Sequence, residues 1–278
     1  MNKLSVYDDK SVRIFFENGD VFEGEVLFND AEFMESEFGL TDDMLQMEEW
    51  LFREEEIAAV ELLPEDHKPV SFFHVPACDF RTTAWSGGFT TQYLIWPREA
   101  EYPDRNFLWR ISSATVENEE SDFTALPDYY RFIATLKGEM HIAHSGGPEI
   151  HLPPYRVHSF DGADATISRG CCTDFNLMLR KGKAFGRLET LSIGLTPELI
   201  LPERGIRDTL LYVAEGSALL SAQIGPHRRE FLLKEGEPFL IEGENRRPFT
   251  LCSASGVPDA PVRLIIARMG EMEPEESI

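Results

Sequence analysis

Charged and amide side chains sit at alternate positions inside otherwise apolar runs of this chain, and that spacing is where chemistry could reside. In FLWRISSA (107–114) Arg110 and Ser112 fall on one face of a strand, and Trp109 and Ile111 on the other. In YRFIATL (130–136) Arg131 shares a face with Ile133 and Thr135, and in TDFNLML (173–179) Asp174 and Asn176 lie opposite Phe175 and Leu177. A buried arginine or aspartate needs a partner. Arg110, Arg131 and Asp174 could satisfy one another, or they could line a polar pocket that grips a carboxylate through paired guanidinium donors. The spacing is compatible with both. Upstream, TAWSGGFTTQYLIWP (83–97) sets Trp85, Gly87, Gly88, Thr90, Thr91 and Gln92 close together. Adjacent glycines let a backbone approach a ligand or a neighbouring strand closely. The hydroxyls and the amide offer hydrogen bonds, and Trp85 or Trp96 could wall a pocket.

Other chemistries find less support. A metal site on a strand needs paired imidazoles on one face, but His141 and His144 are three apart, and His151 and His158 seven apart with prolines between. No metal site and no cofactor are expected. There is no GxSxG elbow and no GxGxxG loop, and Cys78, Cys171, Cys172 and Cys252 form no CxxC pair. They read as free thiols of a reducing compartment. If the protein is an enzyme, Asp174 and His158 are the candidate general bases.

The elements that would position these residues are short strands. SVRIFF and VFEGEVLF flank an Asn18-Gly19 turn, with Gly24 read as a bulge or bend, and EEWLF and IAAVELL follow an acidic stretch. Residues 1–66 are therefore expected to form a small Sm-like or SH3-like barrel, and PEDHKP (64–69) a linker. From Val70 onward YLIW, FLWRIS, RFIATL, FNLMLR, TLLYVA, EFLL, PFLI and VRLIIAR all read as strands, with a helical turn expected near TPELI. RFIATLKGEMHIAHSGGPEIHL can be laid over TLLYVAEGSALLSAQIGPHRREFLL with Gly138 on Gly216, and HSFDG (158–162) over FLIEG (239–243). Two such copies imply an all-β bicupin of two jelly-roll barrels, at 70–190 and 191–269, beside the N-terminal barrel. Residues 270–278 read as a frayed acidic tail.

The formal charge of the 278-residue chain is −23, of which −15 falls in residues 1–65. Such an excess opposes phosphate backbones and anionic membrane surfaces, so neither nucleic acid nor membrane is an expected partner. Residues 1–66 are instead the expected segment for docking a protein partner or a second copy. No signal-peptide pattern and no membrane-length apolar run is visible, and the expected location is the cytoplasm.

The ordered series W-S-G-G-F-T-T-Q, F-x-W-R-I-S-x-A, S-D-F-T followed by Y-R, L-x-G, F-D-G and D-F-N-L-M resembles the HutD/Ves family of bicupins over about residues 72–269. The resemblance implies a metal-free bicupin, linked in some bacteria to histidine utilisation, that binds a small acidic metabolite of the formylglutamate kind. No catalytic role is established for the family. By match, Trp85, Gly87, Gly88 and Thr90 belong to its Trp-Gly-rich loop, Arg110 and Ser112 to its Trp-Arg-Ile-Ser strand, Arg131 to its barrel arginine, and Asp174 and Asn176 to its Asp-Phe-Asn strand. With Gln92, these are the expected ligand-binding residues. The chain departs from the family at Ser86, Phe89, Asp128, Tyr129 and Tyr130. The alternative reading is a metal-independent isomerase or hydrolase of a small carboxylic acid, or a protein-interaction scaffold.

Overall fold

The computed structural model describes residues 3–254 and 262–272. Two antiparallel sandwiches, each a longer sheet against a four-stranded one, are built from the two copies of the repeat. In the first, the strands Val157–Asp161, Tyr129–Gly138, Cys172–Arg180, Trp109–Val116, Gly88–Trp96 and Arg81–Trp85 lie side by side in that order. They cover a sheet of Glu120–Asp122, Thr166–Arg169, Met140–His144 and Ile150–Leu152, with Ile133 and Val116 packed on Met140, Ile142 and Leu152 between the layers. In the second, Asp208–Glu215, Pro238–Glu242, Val262–Glu271 and Ala184–Ile193 belong to a ten-stranded sheet facing Glu198–Ile200, Phe249–Ser253, Ser217–Ile224 and His227–Lys234. Gly138 and Gly216 occupy equivalent turns at φ +74° and +83°, a conformation that side chains with a Cβ rarely adopt.

The two sandwiches pack back to back. Along Asp208–Glu215, Leu211 and Val213 point into the second sandwich. Leu210 and Tyr212 point the other way, into a core shared with Trp109, Ile111, Phe175 and Leu177 of the first. A strand buried on both faces reads as a continuous apolar run, which is why TLLYVA shows no alternation. Cys172–Arg180 and Trp109–Val116 are also buried on both faces, but their second face is Asp174, Asn176, Arg110 and Ser112.

Several expectations change. The division at 190/191 falls inside the strand Ala184–Ile193, which is paired along its whole length with Val262–Glu271. Ser71–His74, expected in the first sandwich, pairs with Pro238–Glu242 of the second. TPELI contains the strand Glu198–Ile200 and no helical turn. Gly270 and Glu271 complete a strand, whereas 273–278 lie outside the described residues.

At the N-terminus, five strands run in the order Ile57–Leu62, Lys10–Phe16, Val21–Asn29, Met44–Met47, Trp50–Arg53. Among the described residues no pairing joins Trp50–Arg53 to Ile57–Leu62, so the sheet curls without closing into the expected barrel. The register runs unbroken through Gly24, so there is no bulge there. A Cβ at that position would lie 2.8 Å from Met47 Sδ, and close packing is what the glycine serves. The acidic stretch holds an α-helix, Ala31–Phe38, capped by the Asp30 carboxylate, which accepts from Phe33 N, and ended by Gly39 at φ +68°.

This segment is fastened to the second sandwich. Val21 pairs with Phe72, and the Phe22 ring stacks on Phe73 at 4.5 Å. Arg13, buried, donates to Glu23 at 2.6 Å and to Glu61 at 2.9 Å, and Glu61 also meets His227 at 2.7 Å. Phe73 is fully buried between Phe22 and Trp50. Its replacement by alanine is expected to cost about 3–5 kcal/mol, measured as a shift in the urea unfolding midpoint.

Candidate functional site

The polar faces of the first sandwich enclose a cavity of about 280 Å³. Trp109–Val116 and Cys172–Arg180 are neighbours in register, with Arg110 opposite Met178 and Ser112 opposite Asn176. Asp174 is in turn opposite Thr135 of Tyr129–Gly138, the strand that carries Arg131. Seven expected residues line the space, all from one sheet: Trp85 and Thr90 on Arg81–Trp85 and Gly88–Trp96, Arg110 and Ser112 on Trp109–Val116, Asp174 and Asn176 on its neighbour, and Arg131 on the strand beyond.

Both guanidiniums are buried, at 5% and 8% exposure. Arg110 donates from Nε to Gln92 Oε1 at 2.7 Å and from Nη1 to Ser112 Oγ at 3.1 Å, and it sits 4.2 Å from the centre of the Tyr102 ring. Arg131 has one long contact to the Thr124 carbonyl at 3.5 Å, lies over Phe123 and Phe160, and leaves its Nε unpartnered. Among the described residues neither has a carboxylate within 4.0 Å. Burial pulls the pKa of both below the ordinary arginine range, Arg110 to about 10, with repulsion between like charges contributing. Arginine keeps its proton in proteins, so the two guanidiniums bring positive charge to a cavity that Asp122 and Asp174 also line.

Asp174, 2% exposed, accepts from Ala114 N at 3.3 Å and from Asn176 Nδ2. Burial pushes its pKa up to about 7 in spite of these contacts and the nearby Arg131. Near neutrality it is therefore available as a proton donor, and the Asn176 Oδ1 acceptor has no partner.

The remaining expected residues act from behind the wall. Gln92 orients Arg110 without reaching the cavity. Gly88 stands at φ +147°, where a Cβ would come 1.9 Å from the Thr115 carbonyl oxygen, so it permits close strand pairing. A Cβ at Gly87 would strike the Trp85 ring. Residues missed from sequence include Asp122 and Met178 on strands, Tyr102 from the turn Tyr102–Asp104, and Phe123 and Thr124 from the segment after Glu120–Asp122. An aromatic followed by proline in EAEYPDR was the one visible signal for Tyr102. Its loop is pinned by Tyr129, which stacks on Phe107 at 4.3 Å and donates from its hydroxyl to the Arg105 and Phe107 carbonyls. Tyr129, a departure from the family pattern, thus braces the cavity's roof.

His158 lies off the cavity. Its Nε2 is 2.8 Å from His144 Nε2, and Phe160 stands beside both rings. His141 and His144 do face opposite ways, His144 toward Thr166 and His141 outward toward Glu149. None of the helices in the described residues is long and apolar enough to cross a membrane.

Residues 77–257 match HutD. The chain belongs to the HutD family. The structure is similar to PA5104, a conserved protein of unknown function from Pseudomonas aeruginosa PAO1, at 19% identity and a TM-score of 0.59 over 72% of this chain and 98% of that one. It is also similar to HutD from Pseudomonas fluorescens SBW25, at 18% identity and a TM-score of 0.55 over 73% of this chain and all of that one. The fold likeness extends to vicilin from Corylus avellana, at 8% identity and a TM-score of 0.50 over 72% of this chain and 87% of that one. No curated protein matches the chain. The fold is cupin-like, and the segment before residue 77 lies outside the family match.

The raised Asp174 pKa has a consequence for stability. The folded state keeps a proton that the unfolded chain, with its carboxyl near 3.8, has already lost, so stability falls as pH rises from about 4 to about 7. The penalty above pH 7 is at most on the order of 4 kcal/mol. Asp208, fully buried and raised to about 7 by the same cause, adds a slope of the same sign. Asp174→Asn is expected to flatten the curve over this window and to raise the unfolding free energy at pH 8, as read from urea titrations at several pH values; an unchanged slope contradicts the burial argument.

Proposed function

We propose that the cavity binds a small carboxylate, with Arg110 and Arg131 gripping the anion and Asp174, Asn176 and Ser112 orienting it. One observation carries this reading: two buried guanidiniums face a common cavity, and among the described residues neither has a carboxylate within 4.0 Å. A buried charge without a counter-charge is costly, and an anionic ligand supplies what the fold leaves out. About 280 Å³ is close to the small end of ligand pockets and suits an acid the size of an acylated amino acid. A formylglutamate-like metabolite carries carboxylates for the arginines and an amide for Asn176. The family resemblance supports this class and a regulatory role in histidine utilisation. The charge of −23 disfavours nucleic-acid partners.

A protonated Asp174 donates to a carboxylate, whereas an ionised one repels it. Affinity is accordingly expected to fall as pH rises through about 7. A group of that pKa in a cavity is also suited to general acid–base work, which favours as a second reading a metal-independent isomerase or hydrolase of the same ligand. Proton NMR of the bound acid over hours distinguishes turnover from binding.

The test is calorimetric titration of N-formylglutamate, glutamate and formate into the wild type and into Arg110→Gln and Arg131→Gln. Each substitution is expected to weaken the best acid by tenfold or more, with loss of the pH dependence in Asp174→Asn. Affinity unchanged in both arginine variants removes the cavity as the site.

A further inference from the structure

The outer face of the four-stranded sheet in the first sandwich carries a group of side chains that the cavity does not use. Met140 and Ile142 point inward and are fully buried, which turns His141 outward, on the same side as Glu139 two positions before it. His141 is paired directly opposite His151 across the hairpin. Their rings stack at 4.7 Å between centroids. His151 Nε2 lies 3.0 Å from a Glu139 carboxylate oxygen, and His141 Nδ1 lies 3.0 Å from Glu149. Glu149 is held in turn by Arg169, which donates to it at 3.0 Å from the next strand.

One ligating atom from each of Glu139, His141 and His151 lies within 4.8 Å of the others. The chain has 49 Asp and Glu and 7 His, yet among the described residues this is the one group of three or more His, Cys, Asp or Glu side chains that converges so closely. A tetrahedral ion about 2.0–2.1 Å from each ligand sets them about 3.4 Å apart. The His151–Glu139 separation, 3.0 Å, is already within that reach. All three side chains are 42–62% exposed, so they have the freedom to close the remainder. The bond from His141 Nδ1 to Glu149 leaves Nε2 for an ion and fixes the ring, the arrangement by which a carboxylate orients a ligating imidazole.

We propose that Glu139, His141 and His151 form a binding site for a divalent transition-metal ion of the zinc class. Two imidazoles and one carboxylate with room for water suit Zn²⁺ better than the harder, all-oxygen cations. The ion would tie the strand Met140–His144 to Ile150–Leu152 from outside the sandwich. The site faces away from the cavity and does not depend on what the cavity binds.

Zn²⁺ titrated calorimetrically into the full-length protein is expected to bind one ion per chain. His141→Ala and His151→Ala should each weaken that binding at least tenfold. His227→Ala, which removes a part-exposed imidazole beside a carboxylate on the other sandwich, should bind as the wild type does. Circular dichroism verifies that all three variants are folded. Loading with Co²⁺ should give weak visible bands of nitrogen and oxygen ligation. An intense sulfur-to-cobalt band would instead put the metal on the exposed thiols Cys78 or Cys171. That result, the absence of binding, or retained affinity in either histidine variant overturns the proposal.

Discussion

Two guanidiniums are held inside one sandwich with no carboxylate in contact, and much of the surrounding structure is what makes that arrangement tolerable. Gln92 and Ser112 take hydrogen bonds from Arg110, and aromatic faces of Tyr102, Phe123 and Phe160 lie against the two cations. Asp174 is near enough for Arg131 to favour its charge, yet burial dominates and leaves the carboxyl only partly ionised near neutral pH. The result is a partly desolvated cavity in which two guanidiniums stand without a carboxylate in direct contact, in a chain of net charge −23.

The rigidity this requires comes from strands buried on both sides. Trp109, Ile111, Phe175 and Leu177 anchor one face of the two central strands in the core between the sandwiches. The alternate positions, Arg110, Ser112, Asp174 and Asn176, are carried into the cavity by the same backbone. Displacement of an arginine therefore requires displacement of a tryptophan or phenylalanine from a packed layer. The second sandwich has the same strand plan and a different filling. Leu211, Val213, Phe239, Leu251, Leu264 and Ile266 meet in its centre, so it presents hydrocarbon where the first presents charge. One copy of the repeat holds the polar cavity, while the other supplies a wall and a base for the N-terminal sheet.

That N-terminal sheet has a comparable device on a smaller scale. Arg13 is buried like Arg110 and Arg131, but Glu23 and Glu61 neutralise it directly. The contrast separates a structural arginine from one left open to a ligand. At the junction, carboxylates of this acidic segment meet His67, His74, Arg98 and His227.

Period-two alternation determined much of this protein. Strands carry side chains to opposite faces in strict turn, so the sharing of a face by Arg110 and Ser112, or by Asp174 and Asn176, was legible from spacing alone, as were the all-β class and the Gly138–Gly216 repeat. Tertiary structure decided which of those faces meet one another. Whether Arg131 would pair with Asp174 or stand apart depended on register across three strands, which no single run encodes. Tyr102 and Phe123 reach the cavity from loops, where no period applies, and Glu139 joins His151 only because the hairpin sets the strands side by side. The helix Ala31–Phe38 was hidden because its cap, Asp30, and its stop, Gly39, lie in a stretch whose acidity masks them. Spacing along a chain fixes the direction of each side chain, and only strand pairing and sheet packing fix the distance between them.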